Sequence, residues 1–290
     1  MIVLISGSSH TGKTALAQRL LEKYLERVDD LPLPKYIPGE LLSKTVFQRL
    51  DHESGYNNTS TPHHFCFDEM TDDDHRMIKA AYYAMIELID IQFGRLMDTL
   101  EETGEIDNTI VIFTADHGEM LGDHLMFQKA KPYQGSAQVP MFISGPERLV
   151  GKHHSICGDL VELRDVMPTL LELAGAEIPE TVDGESMLHP IDREYIHGEH
   201  TLGMDSMHFI VTRHDKYVWY SQTGRELYFN LEADPHESHD AINDAEYAQR
   251  IAHLRHCLIQ ELDGREEGYS DGTQLIVGRT PLTVLKNAYC

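Results

Sequence analysis

The sequence predicts an α/β protein: a mixed sheet with flanking helices, then a smaller antiparallel sheet packed with a helix. Three observations carry this reading. Residues 72–103 hold apolar side chains at three- and four-residue spacing, the pattern of an amphipathic helix. Two short apolar runs, 109–115 and 139–144, follow it as strands. From about residue 194 the pattern turns to short alternating runs (EYIHGEH, HFIVTRH, KYVWYS, ELYFNL) joined by turns, as in an antiparallel sheet.

In chain order, Met1 to Ser6 (MIVLIS) reads as a short apolar strand. A glycine loop follows, and residues 15–28 read as a helix with Leu16, Leu20, Leu21, Tyr24 and Leu25 on one stripe. Residues 29–70 are loop-like, punctuated by Pro32, Pro34, Pro38, Gly39 and Gly55. The long helix places Ile78, Tyr82, Met85, Ile89, Phe93, Leu96 and Leu100 on a core-facing stripe. Asp72, Asp73 and Asp74 favour its positive N-terminal end, and Gly104 supplies the left-handed cap. A helix near 160–174, started or broken at Pro168, follows the second strand. A helix from roughly 244 to 263 presents Ile251, Leu254, Leu258 and Leu262 to the antiparallel sheet, and 264–290 read as a polar, turn-rich tail. The expected divisions are 1–28, 29–190 and 191–290.

The most informative stretch is Thr114-Ala115-Asp116-His117-Gly118-Glu119, directly after an apolar strand. A strand ending in Asp-His-Gly aims a carboxylate and an imidazole at one place, and both suit a divalent cation. Glycine lets the chain turn away without a side chain crowding that ion. The same short string also fits a polar turn with no metal. Twelve residues on, Lys129 would bring a cation beside the metal, a pairing suited to a tetrahedral oxyanion such as sulfate or phosphate. Lys131 is a reminder that loop lysines are common.

With these residues in place, the chain resembles the sulfatases, arylsulfatase-like members of the alkaline phosphatase superfamily. The segments AAYYAMIELID at 80–90, GRLMDTLEETGEIDNTIVIFTADHGEMLGDH at 94–124 and VMPTLLELAG at 166–175 carry the resemblance. So does Tyr228-Phe229-Asn230-Leu231 with Asp234-Pro235-His236-Glu237, similar to the family's C-terminal "LFDL…DPxE" motif. The similarity covers roughly 26–290, as the C-terminal half of a sulfatase. It implies an alkaline phosphatase-like fold and hydrolysis of sulfate esters. It also implies Asp116 and His117 as ligands of Ca2+ or Mg2+, and Lys129 as a contact to the sulfate group. His124 stands in the same pattern as a further catalytic candidate, although Leu125 replaces the glycine that usually follows.

The resemblance also calls for a Cys or Ser nucleophile in a C/S-x-P-S/A-x-R context and for an Asp-Asp pair ending the first strand. None of Cys66, Cys157, Cys257 and Cys290 has a proline two residues on. Ser144-Gly145-Pro146-Glu147-Arg148 matches loosely but lies downstream of the metal loop, and Asp29-Asp30 follows a helix rather than a strand. Pro62-His63-His64 lacks the Pro-Phe that would complete a substrate-contacting histidine motif. The expectation is therefore an incomplete site, inactive as this chain alone.

Gly7-Ser8-Ser9-His10-Thr11-Gly12-Lys13-Thr14 matches G-x-x-x-x-G-K-[ST] between a strand and a helix. It resembles the opening of small nucleotide-binding kinases. In that reading the amides around Gly7 and Gly12 cradle the phosphates of ATP or GTP, Lys13 reaches the outer ones and Thr14 holds magnesium. The competing expectation is thus a nucleotide-binding protein with a degenerate sulfatase-like domain. A third is a fused or truncated product whose exposed sheet edges self-associate.

Composition narrows the partners. The formal net charge of −24 disfavours nucleic acid and anionic membranes, and makes a metal ion more necessary for a sulfated small molecule. No run matches a signal peptide or membrane span, and the four cysteines form no framework, so the cytoplasm is the expected location. Of the 18 histidines, His197 and His200 in YIHGEH stand out, because they close a strand-like run and suit support of a metal ligand.

Overall fold

The computed structural model describes residues 13–45, 48–49, 70–151, 155–201 and 203–282, with side chains from 19 onward. Its main elements in chain order are α1 (Lys13–Leu25), α2 (Asp72–Glu102), β1 (Val111–Thr114), α3 (Gln134–Ala137), β2 (Met141–Ser144), α4 (Glu147–Val150), α5 (Val166–Leu173), β3 (Ile196–His200), β4 (Met207–Val211), β5 (Asp215–Tyr220), β6 (Glu226–Asn230) and α6 (Ala248–Glu261). The proposed strand at 1–6, Gly7, Gly12, Pro62-His63-His64 and Cys66 lie outside the described residues. Lys13 and Thr14 open α1, and only their backbone is described.

Helix α2 begins on a reciprocal cap. The Thr71 hydroxyl accepts the Asp74 amide at 3.2 Å, and the Asp74 carboxylate accepts the Thr71 amide at 2.7 Å. It ends at Thr103, followed by Gly104 with φ 72°. α1 lies along it through a Lys23–Glu87 ion pair and an edge-on Tyr24–Tyr83 contact. The predicted stripe is only partly buried. Leu100 is covered and Ile78, Tyr82 and Phe93 are half-buried, but Met85, Ile89 and Leu96 are exposed. Helical periodicity identifies an apolar face; it does not say what covers it.

β1 and β2 pair antiparallel, Val111 opposite Ser144 and Thr114 opposite Met141. Phe113 and Phe142 stack at 5.0 Å, and Phe93 of α2 meets both rings edge-on. This pins the strand that delivers Asp116 against the long helix.

β3 to β6 form a four-stranded antiparallel meander in sequence order. Every residue of β5 is buried, so the alternation in KYVWYS is not a half-solvated strand. One face packs Ile210, Tyr217, Trp219 and Tyr228 against Ile251, Leu254, Leu258 and Leu262, the stripe expected on α6. The other face packs Val218, Tyr220, Leu227 and Phe229 against Met120, Met126 and Tyr133 of the loop beyond Asp116. The C-terminal sheet is thereby the floor under that loop. The segment after α6 is more than a polar tail: Tyr269 is buried, Leu275 packs on the same core, and a Ser270–Leu275 bridge closes the turn between them. Among the described residues no helix is long and apolar enough to cross a membrane.

Candidate metal and oxyanion site

Asp116 and His117 leave β1 as adjacent residues and present their side chains together. His117 Nε2 lies 3.7 Å from Asp116 Oδ1, and the Asp116 side chain is 88% exposed. The His117 amide donates to Asp116 Oδ1 at 3.0 Å, which fixes the carboxylate rotamer. His117 Nδ1 lies 2.8 Å from the Gly118 carbonyl, so Nδ1 donates there and Nε2 is the nitrogen turned toward Asp116. An imidazole held by a carbonyl on one nitrogen and turned toward a carboxylate on the other is a ligand arrangement for a divalent ion. The pair fits such an ion as two donors. Among the described residues no third His, Cys, Asp or Glu joins it; the groups of three donors, His197–Glu199–His208 and Glu194–His253–Cys257, are separate.

Gly118 is required for a reason other than space around an ion. Its amide donates to Ser136 O at 2.8 Å, and a Cβ there would meet Gly135 O at 2.1 Å. The backbones of the 116–118 turn and of α3 therefore touch directly. Beyond it, the Glu119 carboxylate accepts the amides of Leu121 and Gln128, and Met120 N donates to Gln128 O at 3.0 Å. The loop folds back on itself, with positive φ at Leu121, His124, Leu125, Gln128 and Ala130.

His124 is a brace and does not face Asp116 and His117. It is 3% exposed, its Nδ1 lies 2.5 Å from Glu40 Oε1, and its ring stacks on Tyr133 at 3.9 Å. Lys44 Nζ completes the group, 2.6 Å from Glu40 Oε1 and 2.8 Å from the Tyr133 hydroxyl. Burial pushes Glu40 up, but the hydrogen bond to His124 and the charge of Lys44 outweigh it and hold the carboxyl down at about 2. Burial pushes Lys44 down, and Glu40 offsets part of that. The Lys35 amide donates to Asp123 Oδ1 at 2.8 Å, and Pro34 lies against Gly122, where a Cβ would meet it at 2.7 Å. Residues 34–44, part of the stretch read from sequence as loop-like, thus clamp the outside of the site loop.

Lys129 is exposed at the end of this loop, whereas Lys131 is buried. Burial and the charge of Lys131 push His200 below the ordinary histidine range. His197 points to the other face of the strand, with His208. The pair expected in one role is therefore split between two faces by strand alternation.

Sequence reasoning missed Lys216 and gave Glu237 no role. Lys216 Nζ is fully buried, 2.6 Å from Glu237 Oε1, 2.6 Å from Pro132 O and 2.9 Å from Gln134 Oε1. Glu237 also accepts the Gln134 amide at 2.6 Å. The last residue of the DPxE motif therefore fastens α3, and through it the 116–118 turn, to the C-terminal sheet.

The sulfatase family model matches residues 1–176, and that of the N-sulphoglucosamine sulphohydrolase C-terminal region matches 122–263. The match from residue 1 takes in the glycine loop, so the reading of 1–28 as a separate nucleotide-binding fragment, with ATP or GTP, has no support, nor has a restriction of the resemblance to a C-terminal half. The chain is 50% identical over 216 residues to an arylsulfatase of Clostridium perfringens, covering 72% of this chain and 45% of that protein. It is 31% identical over 234 residues to human arylsulfatase K, covering 74% and 41% respectively. It spans less than half the length of these curated relatives. In structure it resembles a phosphonate monoester hydrolase from Silicibacter pomeroyi, with TM-score 0.69, 25% identity and 81% and 51% of the two chains covered. It shares the fold of a protein solved with its substrate D-glucosamine-2-N,6-O-disulfate, with TM-score 0.67, 20% identity and 83% and 61% covered. The fold is the mixed α/β architecture of the alkaline phosphatase-like proteins, and the chain belongs to the sulfatase family.

Proposed function

We propose that this chain carries one wall of a sulfate-ester hydrolase site, in which Asp116 and His117 hold a divalent cation, Ca2+ or Mg2+. The observation that carries the reading is the His117 ring. Its Nδ1 is committed to the Gly118 carbonyl and its Nε2 stands beside the Asp116 carboxylate. A bound cation would supply charge to polarise a sulfate oxygen. Lys129, exposed on the adjoining loop, supplies the ammonium that neutralises a further oxygen of a small sulfated substrate. The buried Glu40–His124–Lys44–Tyr133 group and the Lys216–Glu237 pair hold the loop that carries these groups. His124 acts in this reading by positioning.

Two donors are half a shell for such a cation. The Asp-Asp pair and the Cys or Ser nucleophile do not occur in the family's context within these 290 residues. Turnover by this chain alone is therefore expected to be absent. The test is hydrolysis of a chromogenic aryl sulfate in Ca2+, together with protection of the chain against melting by inorganic sulfate. The expected result is sulfate protection that needs Ca2+ and falls in Lys129→Ala, without turnover. Turnover lost in Asp116→Ala would uphold the site and overturn the incompleteness. Turnover or protection indifferent to Asp116 would overturn the site.

A further inference from the structure

The histidine that strand alternation turns away from the candidate site joins a second group of donors. His197 and Glu199 are two apart on β3 and share a face, and His208 of β4 is the register partner of Glu199. All three side chains therefore converge. His197 Nε2 lies 3.2 Å from His208 Nδ1, and His208 Nδ1 lies 3.2 Å from Glu199 Oε2. Two imidazoles and a carboxylate around a tetrahedral Zn2+, with bonds of about 2.0–2.1 Å, stand about 3.3 Å apart. Two of the three donor separations match the edges of such a tetrahedron, and all three donors lie within 4.8 Å of one another.

The surroundings are those of a ligand group. The two histidine side chains are nearly buried, 7% and 6% exposed, and their rings are stacked 7° from parallel. His197 Nδ1 lies 3.6 Å from Glu261 Oε1 of α6, and Nε2 faces the centre of the group. A carboxylate on that side of an imidazole can orient it when a metal draws the ring in. Arg265 holds Glu199 from outside by both oxygens, at 2.9 Å to Oε2 and 3.2 Å to Oε1. A carboxylate has about four lone-pair positions, so these two contacts leave one on Oε2 facing the imidazoles. Glu199 is 45% exposed and forms the entrance.

We propose that His197, Glu199 and His208 form a binding site for Zn2+ or a similar borderline divalent ion, distinct from the Asp116–His117 pair. The donor set, two nitrogens to one oxygen, suits zinc better than calcium, whose ligands are mostly oxygen. Three protein donors leave one position for solvent or an external ligand. The ion joins β3 to β4 beneath the end of α6.

The full chain, stripped with chelator, is titrated with Zn2+ by calorimetry and with Co2+ by visible absorption. The expected result is one saturable equivalent with the intense d–d bands of tetrahedral Co2+. Asp116→Ala and Cys257→Ser retain it, the second because the Glu194–His253–Cys257 group is not its seat. His208→Gln and Glu199→Gln lose it, and Glu261→Gln weakens it about tenfold. Cooperative melting confirms that the variants fold. If His208→Gln does not fold, Glu199→Gln, at a partly exposed position, decides the matter. No saturable equivalent in the parent chain, undiminished binding in Glu199→Gln, or loss in Cys257→Ser would overturn the proposal.

Discussion

Lys216 Nζ lies 2.6 Å from Glu237 Oε1, with both side chains buried to within 1% of full coverage. The ammonium also reaches Pro132 O, and the carboxylate takes the Gln134 amide, so one ion pair joins the C-terminal sheet to the loop after Lys129. Removing one partner leaves a buried charge uncompensated, at a cost of about 3–5 kcal/mol. Glu237→Ala is expected to lose that much stability in urea unfolding. The double variant Lys216→Met with Glu237→Gln is expected to recover most of it, because no charge is then left buried.

Glu40 gives the fold a defined acid response. Its carboxyl is held down at about 2, against roughly 4.3 for a free glutamate. A carboxyl depressed in the folded state contributes stability that is fully present above the unfolded value and lost as pH falls through the folded one. The contribution should therefore fade between about pH 4.3 and pH 2. Melting temperature followed over that range should fall more steeply in the parent than in Glu40→Gln. Parallel curves would show that Glu40 is not linked to folding.

Gly118→Ala places a methyl group 2.1 Å from Gly135 O, a backbone atom that cannot rotate away. Overpacking of this kind costs about 1–3 kcal/mol. Thermal melting should register that loss, and weaker Ca2+ binding should accompany it, since the shifted turn carries Asp116 and His117. Ala at Gly94, which has nothing within 4 Å of a built Cβ, should do neither.

The two-stranded sheet of β1 and β2 has no further partner strand among the described residues, and Phe142, Met85 and Ile89 are exposed nearby. Uncovered edges and apolar faces favour association. Light scattering should show mass rising with concentration, and Ile89→Glu should reduce it.

What the sequence made legible was local. The strand before Asp116, the capped helix from Asp72, the four alternating runs and the α6 stripe follow from periodicity and turn residues, and the structure has each of them. The adjacency of Asp116 and His117 came with them, because neighbouring residues need no tertiary information to meet. What was not legible was long-range. Glu40 and His124 are 84 residues apart, and Lys216 reads as an ordinary strand lysine until the loop folds over it. Nothing in spacing says that 34–44 would brace the site loop, or that Met85 and Ile89 would be exposed on an apolar stripe. His197 and His200 looked alike in sequence and were separated only by the direction of a strand face.

The most direct test of the central claim is a calcium titration of the full chain followed by thermal melting, with Asp116→Ala as the comparison. The account predicts that Ca2+ or Mg2+ raises the melting temperature of the parent and leaves that of Asp116→Ala unmoved, by the linkage of binding to stability. An equal rise in both, or none in the parent, would contradict the assignment of Asp116 and His117 as the cation's ligands.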